Sequence, residues 1–304
     1  MARIAHLSDI HFGAHDPAIV AATEAWLNEQ QPDLIIISGD LTQRAKVPEF
    51  RQASAYLNRL RAAGFRTLVV PGNHDVPLYD LVRRFAAPLD RYKRYIDDVL
   101  CPWFETDEVA VLGLNTARSL TIKDGRINRD QIAMLQDRFA AVPSSKTRIL
   151  VTHHPLYAMP IGEGGELSEA VGRHRDAVEA VCKAGVHLAL AGHFHRTYAE
   201  AARKMVETAG SVLVVQAGTA TSTRLRNNEL QSFNWIHAHR NDEVELQVVV
   251  WNGTSFQRAS HERFTHDGQN WNAQTIEDDT MYTKGRTSDM PMQTLRDRML
   301  NVAK

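Results

Sequence analysis

The first two-thirds of the chain alternates short apolar runs with longer stretches of helical spacing. Arg3–Leu7 reads as a strand. Pro17–Gln31 reads as a helix, with Asp16 as N-cap and Pro17 in its first turn. Its apolar positions Ile19, Ala22, Trp26 and Leu27 share one helical face. Leu34–Ser38 is apolar throughout and too short for a helix, so it predicts a buried strand. Pro48–Ala63, stopped by Gly64, predicts a second helix. Thr67–Val70 follows as a strand, then a mostly helical stretch over Leu78–Leu100, broken at Pro88. Strands are expected at Val109–Leu114, Arg148–Thr152, Val186–Ala191 and Val212–Val215. Helices are expected from Asn128 or Asp130 to Ala140 and over Arg175–Ala184.

Later the period changes. Phe233–His239 and Glu243–Trp251, joined by Arg240–Asn241–Asp242, predict an antiparallel hairpin. Beyond Gln257 the pattern is polar and irregular, until Asp289–Val302 regains an amphipathic helical spacing. Strand–helix alternation with buried strands implies an α/β layered fold. The hairpin adds a mixed sheet or a second sheet packed on the first. The division expected is a domain over residues 1–256 and a polar C-terminal extension over 257–304, ending in that amphipathic helix.

Composition narrows the class. The chain has 304 residues, 43% hydrophobic and 23% charged, as an ordinary globular protein has. Lys and Arg number 35 against 36 Asp and Glu, so no global field favours nucleic acid or an anionic membrane. No apolar run approaches the ~20 residues of a spanning helix. MARIAHLSDIHFG lacks a signal-peptide core, so a cytoplasmic location is expected. Cys101 and Cys182 lack any CxxC spacing and read as reduced thiols. The 14 histidines are the unusual feature, because they cluster.

The clusters follow the strands. Asp9-Ile10-His11 follows the first, Gly39-Asp40 the second and Gly72-Asn73-His74-Asp75 the third. His153-His154-Pro155 follows Arg148–Thr152, and Gly192-His193-Phe194-His195 follows Val186–Ala191. In open α/β sheets, ligands bind at the carboxyl ends of the strands. Distant residues are therefore expected to meet in one crevice. Carboxylate, imidazole and amide oxygen suit Mn²⁺, Fe²⁺, Co²⁺ or Zn²⁺, and the lack of thiolate argues against a structural zinc site. Seven candidate ligands among these blocks are too many for one ion with an open position. They suit two ions sharing a bridging carboxylate. Each block alone is weak: Gly-Asp after a strand is usually a turn, and a single loop histidine is usually structural.

The ordered set D-x-H, G-D-x, G-N-H-[DE], H and G-H-x-H resembles the calcineurin-like metallophosphoesterase superfamily over about residues 3–240. The resemblance implies a four-layer β-sandwich of two mixed sheets flanked by helices, with a dinuclear site at one end. It implies that Asp9, His11 and His195 hold one divalent ion, that Asn73, His153 and His193 hold the other, and that Asp40 bridges them. Mn, Fe, Zn or Co would serve. A metal-bridging hydroxide would attack phosphorus. His74 would protonate the leaving oxygen or stabilise charge, with Asp75 orienting its ring. His154 is left to a supporting or substrate-facing place.

GDLTQR and GNHD depart from the Ser/Thr protein phosphatase branch, which carries DRG and GNHE. GNHD with GHFH, the opening HLSDIHFG and the later AGTATSTR…SFNWI look more like bacterial class III cyclic nucleotide phosphodiesterases. The expected activity is a phosphodiesterase acting on a small phosphodiester or nucleotide, cyclic nucleotides among the candidates. The alternatives are a phosphomonoesterase, a nucleotide-sugar or lipid pyrophosphatase, and a scaffold without chemistry. Intact blocks speak against the scaffold, and the neutral charge against a nuclease. Asn73, His154, Arg44, Arg118 and Arg224 are candidates to face substrate, guanidinium being well matched to phosphate. Trp103 and Phe104 could stack on a base, although packing is their default. The Gly-rich stretch 158–167 reads as a loop beside His153. The C-terminal helix is expected to dock on the body or on a second subunit, a homodimer being common among relatives.

Overall fold

The structure, a computed structural model, describes residues 1–118, 125–157, 160–161, 166–167, 172, 174–194, 198–201, 212–225, 230–240 and 242–276. Two mixed sheets face each other. The first has seven strands in the order β15-β14-β13-β12-β1-β2-β3. They are β1 (Ala2–Leu7), β2 (Leu34–Ser38), β3 (Thr67–Val70), β12 (Ser232–Arg240), β13 (Glu243–Trp251), β14 (Phe256–His266) and β15 (Trp271–Thr275). β1, β2 and β3 run parallel, and β12 pairs with β1 antiparallel. The second sheet has the order β10-β11-β9-β6-β5-β4. Its strands are β4 (Trp103–Glu105), β5 (Val109–Gly113), β6 (Thr147–Val151), β9 (Leu188–Ala191), β10 (Tyr198–Ala201) and β11 (Leu213–Gln216). β5, β6, β9 and β11 are parallel. β7 (Pro160–Ile161) and β8 (Glu166–Leu167) form a small separate hairpin, within the stretch expected to be a loop.

Alternation along each strand builds the layers. Ile4, Leu34, Ile36 and Val70 turn inward and meet Val111, Ile149, Val151, Leu188 and Leu190 of the second sheet. The alternate residues Ala5, Leu7, Ile35, Ile37 and Val69 turn outward. They pack under α1 (Pro17–Gln30) and α2 (Val47–Ala62) with Tyr92 of α4 (Asp90–Tyr95), while α3 (Leu81–Ala86) leaves Leu81, Val82 and Phe85 exposed. Ala110, Leu112, Leu150 and Ala189 do the same under α5 (Arg129–Ala140) and α6 (His174–Lys183). Strands buried on both faces must be apolar at every position, which is why LIIIS has no alternation. Burying one such Leu or Ile contributes roughly 1.5–3 kcal/mol. The result is the expected helix–sheet–sheet–helix sandwich.

Helix starts follow their caps. Asp16 Oδ1 accepts from Ala18 N at 2.8 Å ahead of Pro17. Asn128 and Gln131 close a reciprocal capping box on α5.

One expectation fails. Residues beyond Gln257 are not irregular: β14 and β15 extend the seven-stranded sheet to residue 275, and the 256/257 boundary falls within β14. Only Phe264 and Trp271 of these strands reach the inter-sheet core. Their other face carries Arg258, His261 and Arg263, so the apolar signal is thin. The expected helix at 289–302 lies outside the described residues. Among the described residues no helix is long and apolar enough to cross a membrane.

Candidate metal centre

Both sheets end their parallel strands at the same crevice. Asp9 and His11 follow β1, Asp40 follows β2, and Asn73 opens a single 3₁₀ turn, Asn73–Asp75, after β3. His153 and His154 follow β6 in the opposite sheet, and His193 follows β9. The chain reverses tightly at these points. Asp9, His11, Asp40 and His193 all hold positive φ, at 53°, 55°, 52° and 80°. Such backbone costs roughly 1–3 kcal/mol per residue and gathers at functional sites.

The side chains converge. His153 Nε2 lies 3.3 Å from Asp40 Oδ2 and 3.0 Å from Asn73 Oδ1. His193 Nδ1 lies 3.0 Å from the same Asn73 oxygen and 3.3 Å from His153 Nε2. On the other side of Asp40, His11 Nε2 is 3.5 Å from Asp9 Oδ1 and 3.9 Å from Asp40 Oδ2. Asp40 therefore stands between Asp9 with His11 and Asn73 with His153 and His193. Donor atoms of Asp9, Asp40 and His153 fit within 4.8 Å of one another, and so do those of His153, His154 and His193. Asp9, His11, Asp40, His153 and His154 are buried, while Asn73, His74 and His193 are half-buried and mark the mouth. His195 lies outside the described residues.

Charge is balanced within the cluster. Burial disfavours the Asp40 anion, but His153, then His74 and His11, hold its carboxyl well below the usual carboxylate range. Burial likewise disfavours a charged His153. Asp40, Asp9 and the Ser38 carbonyl outweigh it and bring the ring to about 9. The donor set is hard carboxylate and amide oxygen with borderline imidazole. It fits the divalent ions that the residue types suggest.

The supporting residues escaped the sequence reading. His153 Nδ1 donates to Ser38 O at 2.7 Å, which turns Nε2 toward Asp40. Ser8 Oγ donates to Asp9 Oδ2 at 2.6 Å. Thr219 Oγ1 and Thr221 Oγ1 donate to the carbonyls of Asp9 and Ile10, clamping the first loop from β11's far end. His6, buried between the sheets, reaches Ser38 Oγ at 2.9 Å, and burial lowers its pKa to about 3. Ser and Thr carry no spacing signal. The AGTATSTR segment was the one pointer available. Glycine is required where loops touch: a Cβ on Gly72 would overlap Asp40, and one on Gly192 would overlap Ser8.

Asp75 does not orient His74. Its carboxylate accepts from Leu41 N at 3.2 Å, Thr42 N at 2.9 Å, Thr42 Oγ1 at 2.9 Å and Gly72 N at 3.0 Å. It pins the β2 loop to the β3 loop, and four donors leave it no capacity for an imidazole. Burial and then the Asp40 charge raise its pKa to about 6 despite those donors. The group that orients His74 is the Gln43 carbonyl, 2.8 Å from Nδ1, while His74 N donates to Asp40 Oδ1 at 2.8 Å. The His74 ring meets His11 edge-on at 4.9 Å.

His154 is held by Thr116 Oγ1 at 2.8 Å and lies 4.7 Å from the His193 ring. The Arg118 guanidinium is engaged by Gln131 Oε1 at 2.5 Å and by the Asn115 and Ala117 carbonyls. Arg44 is exposed, with its guanidinium over the Tyr79 ring at 5.8 Å. Arg224 is exposed as well. Trp103 packs on Phe139 and Arg138, and Phe104 lies against the inter-sheet core under Arg66.

Comparison with known proteins agrees with this geometry. A probable cyclic nucleotide phosphodiesterase of Synechococcus sp. is 24% identical over 212 residues, covering 64% of this chain and 74% of that protein. A purple acid phosphatase from yellow lupin seeds superposes with a TM-score of 0.66 at 15% identity, over 88% of this chain. The chain spans about half of the lupin enzyme, 54% of its length. A dimetal phosphatase from Danio rerio gives 0.55 at 12% identity, covering 81% of this chain and 95% of that one. The family model for calcineurin-like phosphoesterases matches residues 2–197. The chain belongs to the calcineurin-like phosphoesterase family, and it is a metal-dependent phosphoric ester hydrolase.

Proposed function

We propose that this enzyme hydrolyses phosphodiesters, cyclic nucleotides among them, at a centre of two divalent ions. Asp9 and His11 would hold one ion, with His195 by family resemblance. Asn73, His153 and His193 would hold the other, and Asp40 would touch both. The observation that carries this reading is the place of Asp40. Its Oδ2 lies 3.3 Å from His153 Nε2 on one side and 3.9 Å from His11 Nε2 on the other. Two such ions, when bound, would supply an activated water near neutral pH and a clamp on the phosphoryl oxygens.

The remaining work falls to the chain's own residues. His74 Nδ1–H donates to the Gln43 carbonyl, so Nε2 is the atom available at the mouth. When protonated, Nε2 donates to the leaving oxygen or to the charge building on phosphorus. Asp75 holds the loop that carries it. Ser38 and Ser8 fix the rotamers of His153 and Asp9, so the donors need little rearrangement. Arg44, exposed and adjacent in sequence to the Gln43 that His74 bonds, would meet the phosphate or the nucleoside from the solvent side.

The diester preference, and cyclic nucleotides within it, is supported by the Synechococcus relative's description and by the GNHD and GHFH blocks. The test is a panel of Mn²⁺-loaded hydrolyses: cyclic AMP, cyclic GMP, bis(p-nitrophenyl) phosphate, a glycerophosphodiester, a UDP-sugar and p-nitrophenyl phosphate. The reading expects kcat/KM on a diester, cyclic nucleotides included, to exceed that on the monoester. A higher value on the monoester overturns it in favour of a phosphomonoesterase.

A further inference from the structure

A second group of histidines sits at the opposite end of the seven-stranded sheet. His237 of β12 pairs in register with Arg3 at the start of β1, and with Glu245 of β13. Asp9 lies six residues further along, about 20 Å at the usual strand rise. His237, His239 and Glu245 place donor atoms within 4.8 Å of one another. His261 of β14 joins them, with Nε2 3.3 Å from Glu245 Oε2. His237 Nδ1 is 3.5 Å from that same oxygen, and His239 Nε2 is 3.8 Å from Oε1.

Three features make this more than a solvated face. First, the ladder slips between Ala238 and Arg240, so His239 occupies a β-bulge. A bulge re-aims the side chain it carries. Second, His239 Nε2 is buried and makes no hydrogen bond, although its ring is partly exposed. Third, the spacing suits a small ion. Donors about 2.0–2.2 Å from a tetrahedral ion stand about 3.3–3.6 Å apart. The two Glu245 Oε2 separations, 3.3 and 3.5 Å, are in that range.

We propose that His237, His239, His261 and Glu245 form a second, separate metal site, taking one borderline divalent ion, Zn²⁺ foremost. Three imidazoles and one carboxylate are a four-coordinate zinc donor set. The ion ties β12, β13 and β14 together where the sheet runs out toward its edge strand β15. It is structural, because all four positions are filled by protein.

Arg263 is the competitor. Its guanidinium bonds Glu245 Oε1 at 2.7 Å, and its Nε lies 3.7 Å from Glu243 Oε1. Being 42% exposed, it can shift to Glu243 and release Glu245 to the ion. The guanidinium holds Oε1 while His237 and His261 face Oε2, so the Arg263 charge opposes metal binding without blocking it.

The test counts zinc on the whole chain by elemental analysis after desalting, in an Asp40→Ala, Asn73→Ala background that removes the first centre. One equivalent is expected to remain. Adding His237→Gln and His239→Gln is expected to remove it, with circular dichroism reporting the fold. Zinc a hundredfold above its dissociation constant should raise the melting midpoint of the background protein by about 4 °C. It should not raise that of the His237→Gln, His239→Gln form. Arg263→Gln should bind zinc about tenfold more tightly, since a charge-assisted competitor is gone. No equivalent in the background protein, or an equivalent retained without the two histidines, overturns the site. Affinity unchanged or weakened in Arg263→Gln overturns the competition. Three equivalents retained in the background would instead overturn the assignment of the first centre.

Discussion

The two histidine–carboxylate clusters use the same chemistry and are built in opposite ways. The crevice at the strand ends sits on loops, with four of its residues in left-handed backbone and its carboxylates buried. Histidines alone balance Asp40. The cluster on β12, β13 and β14 sits on paired strands, with a register slip at His239 and another beside His261, and an arginine already balances Glu245. Loops bring together residues from five strands of two sheets and leave an open side. Strands bring together residues from neighbouring rungs of one sheet, held by ladder hydrogen bonds instead of loops. The first arrangement suits turnover, and the second suits a fixed ion.

The comparison breaks most visibly at Asp40. Asp40→Ala should lower kcat/KM on bis(p-nitrophenyl) phosphate by about a thousandfold or more, with the circular dichroism spectrum kept. The matching change Glu245→Ala, which faces the other end of the sheet, should stay within about threefold in kcat/KM. Equal losses from both would mean that the two regions are not separate.

His74→Asn comes next, with an expected loss of about 10²–10⁴-fold in kcat if it serves as general acid. The loss should shrink on substrates with a good leaving group, such as p-nitrophenolate. A loss independent of the leaving group would assign His74 to charge stabilisation instead.

A smaller effect separates the clusters by pH. In chelated protein, His153 is raised from 6.5 to about 9. Its pairing with Asp40 stabilises the fold fully below pH 6.5, and that contribution is lost as pH climbs through 9. In metal-loaded protein an ion takes the place of the His153 proton, so loading becomes easier over the same window. The gap between loaded and chelated melting midpoints should widen from pH 6.5 to pH 9. A constant gap would contradict the pairing.

Gln43→Ala should do least. The orienting contact to His74 comes from the Gln43 backbone carbonyl, so removing the side chain should change kcat by no more than about threefold. A change as large as that of His74→Asn would mean that the side chain, 3.4 Å from Nδ1, is the true partner.

The strand order of the chemistry was legible because each motif follows an apolar run that can only be a buried strand. LIIIS-GD and TLVVPG-NHD announce both the strand and what stands at its end. What connects the motifs was not legible. Asp75 looked like a partner for its neighbour His74, yet adjacency in sequence says nothing of which loop its carboxylate reaches. β14 and β15 were missed because one face of each is polar. The same blindness hid the second cluster: His237, His239 and His261 meet only through strand register, which no local spacing encodes. Arg118 showed an arginine after a strand, and the structure spends it on Gln131 and two carbonyls.

The most direct measurement is hydrolysis of bis(p-nitrophenyl) phosphate by chelated protein titrated with Mn²⁺, beside the Asp40→Ala variant. The account predicts no turnover after chelation, recovery that is complete only with the second equivalent bound at the strand-end centre, and no recovery in the variant. Full turnover by the chelated protein, or recovery in Asp40→Ala, would contradict it.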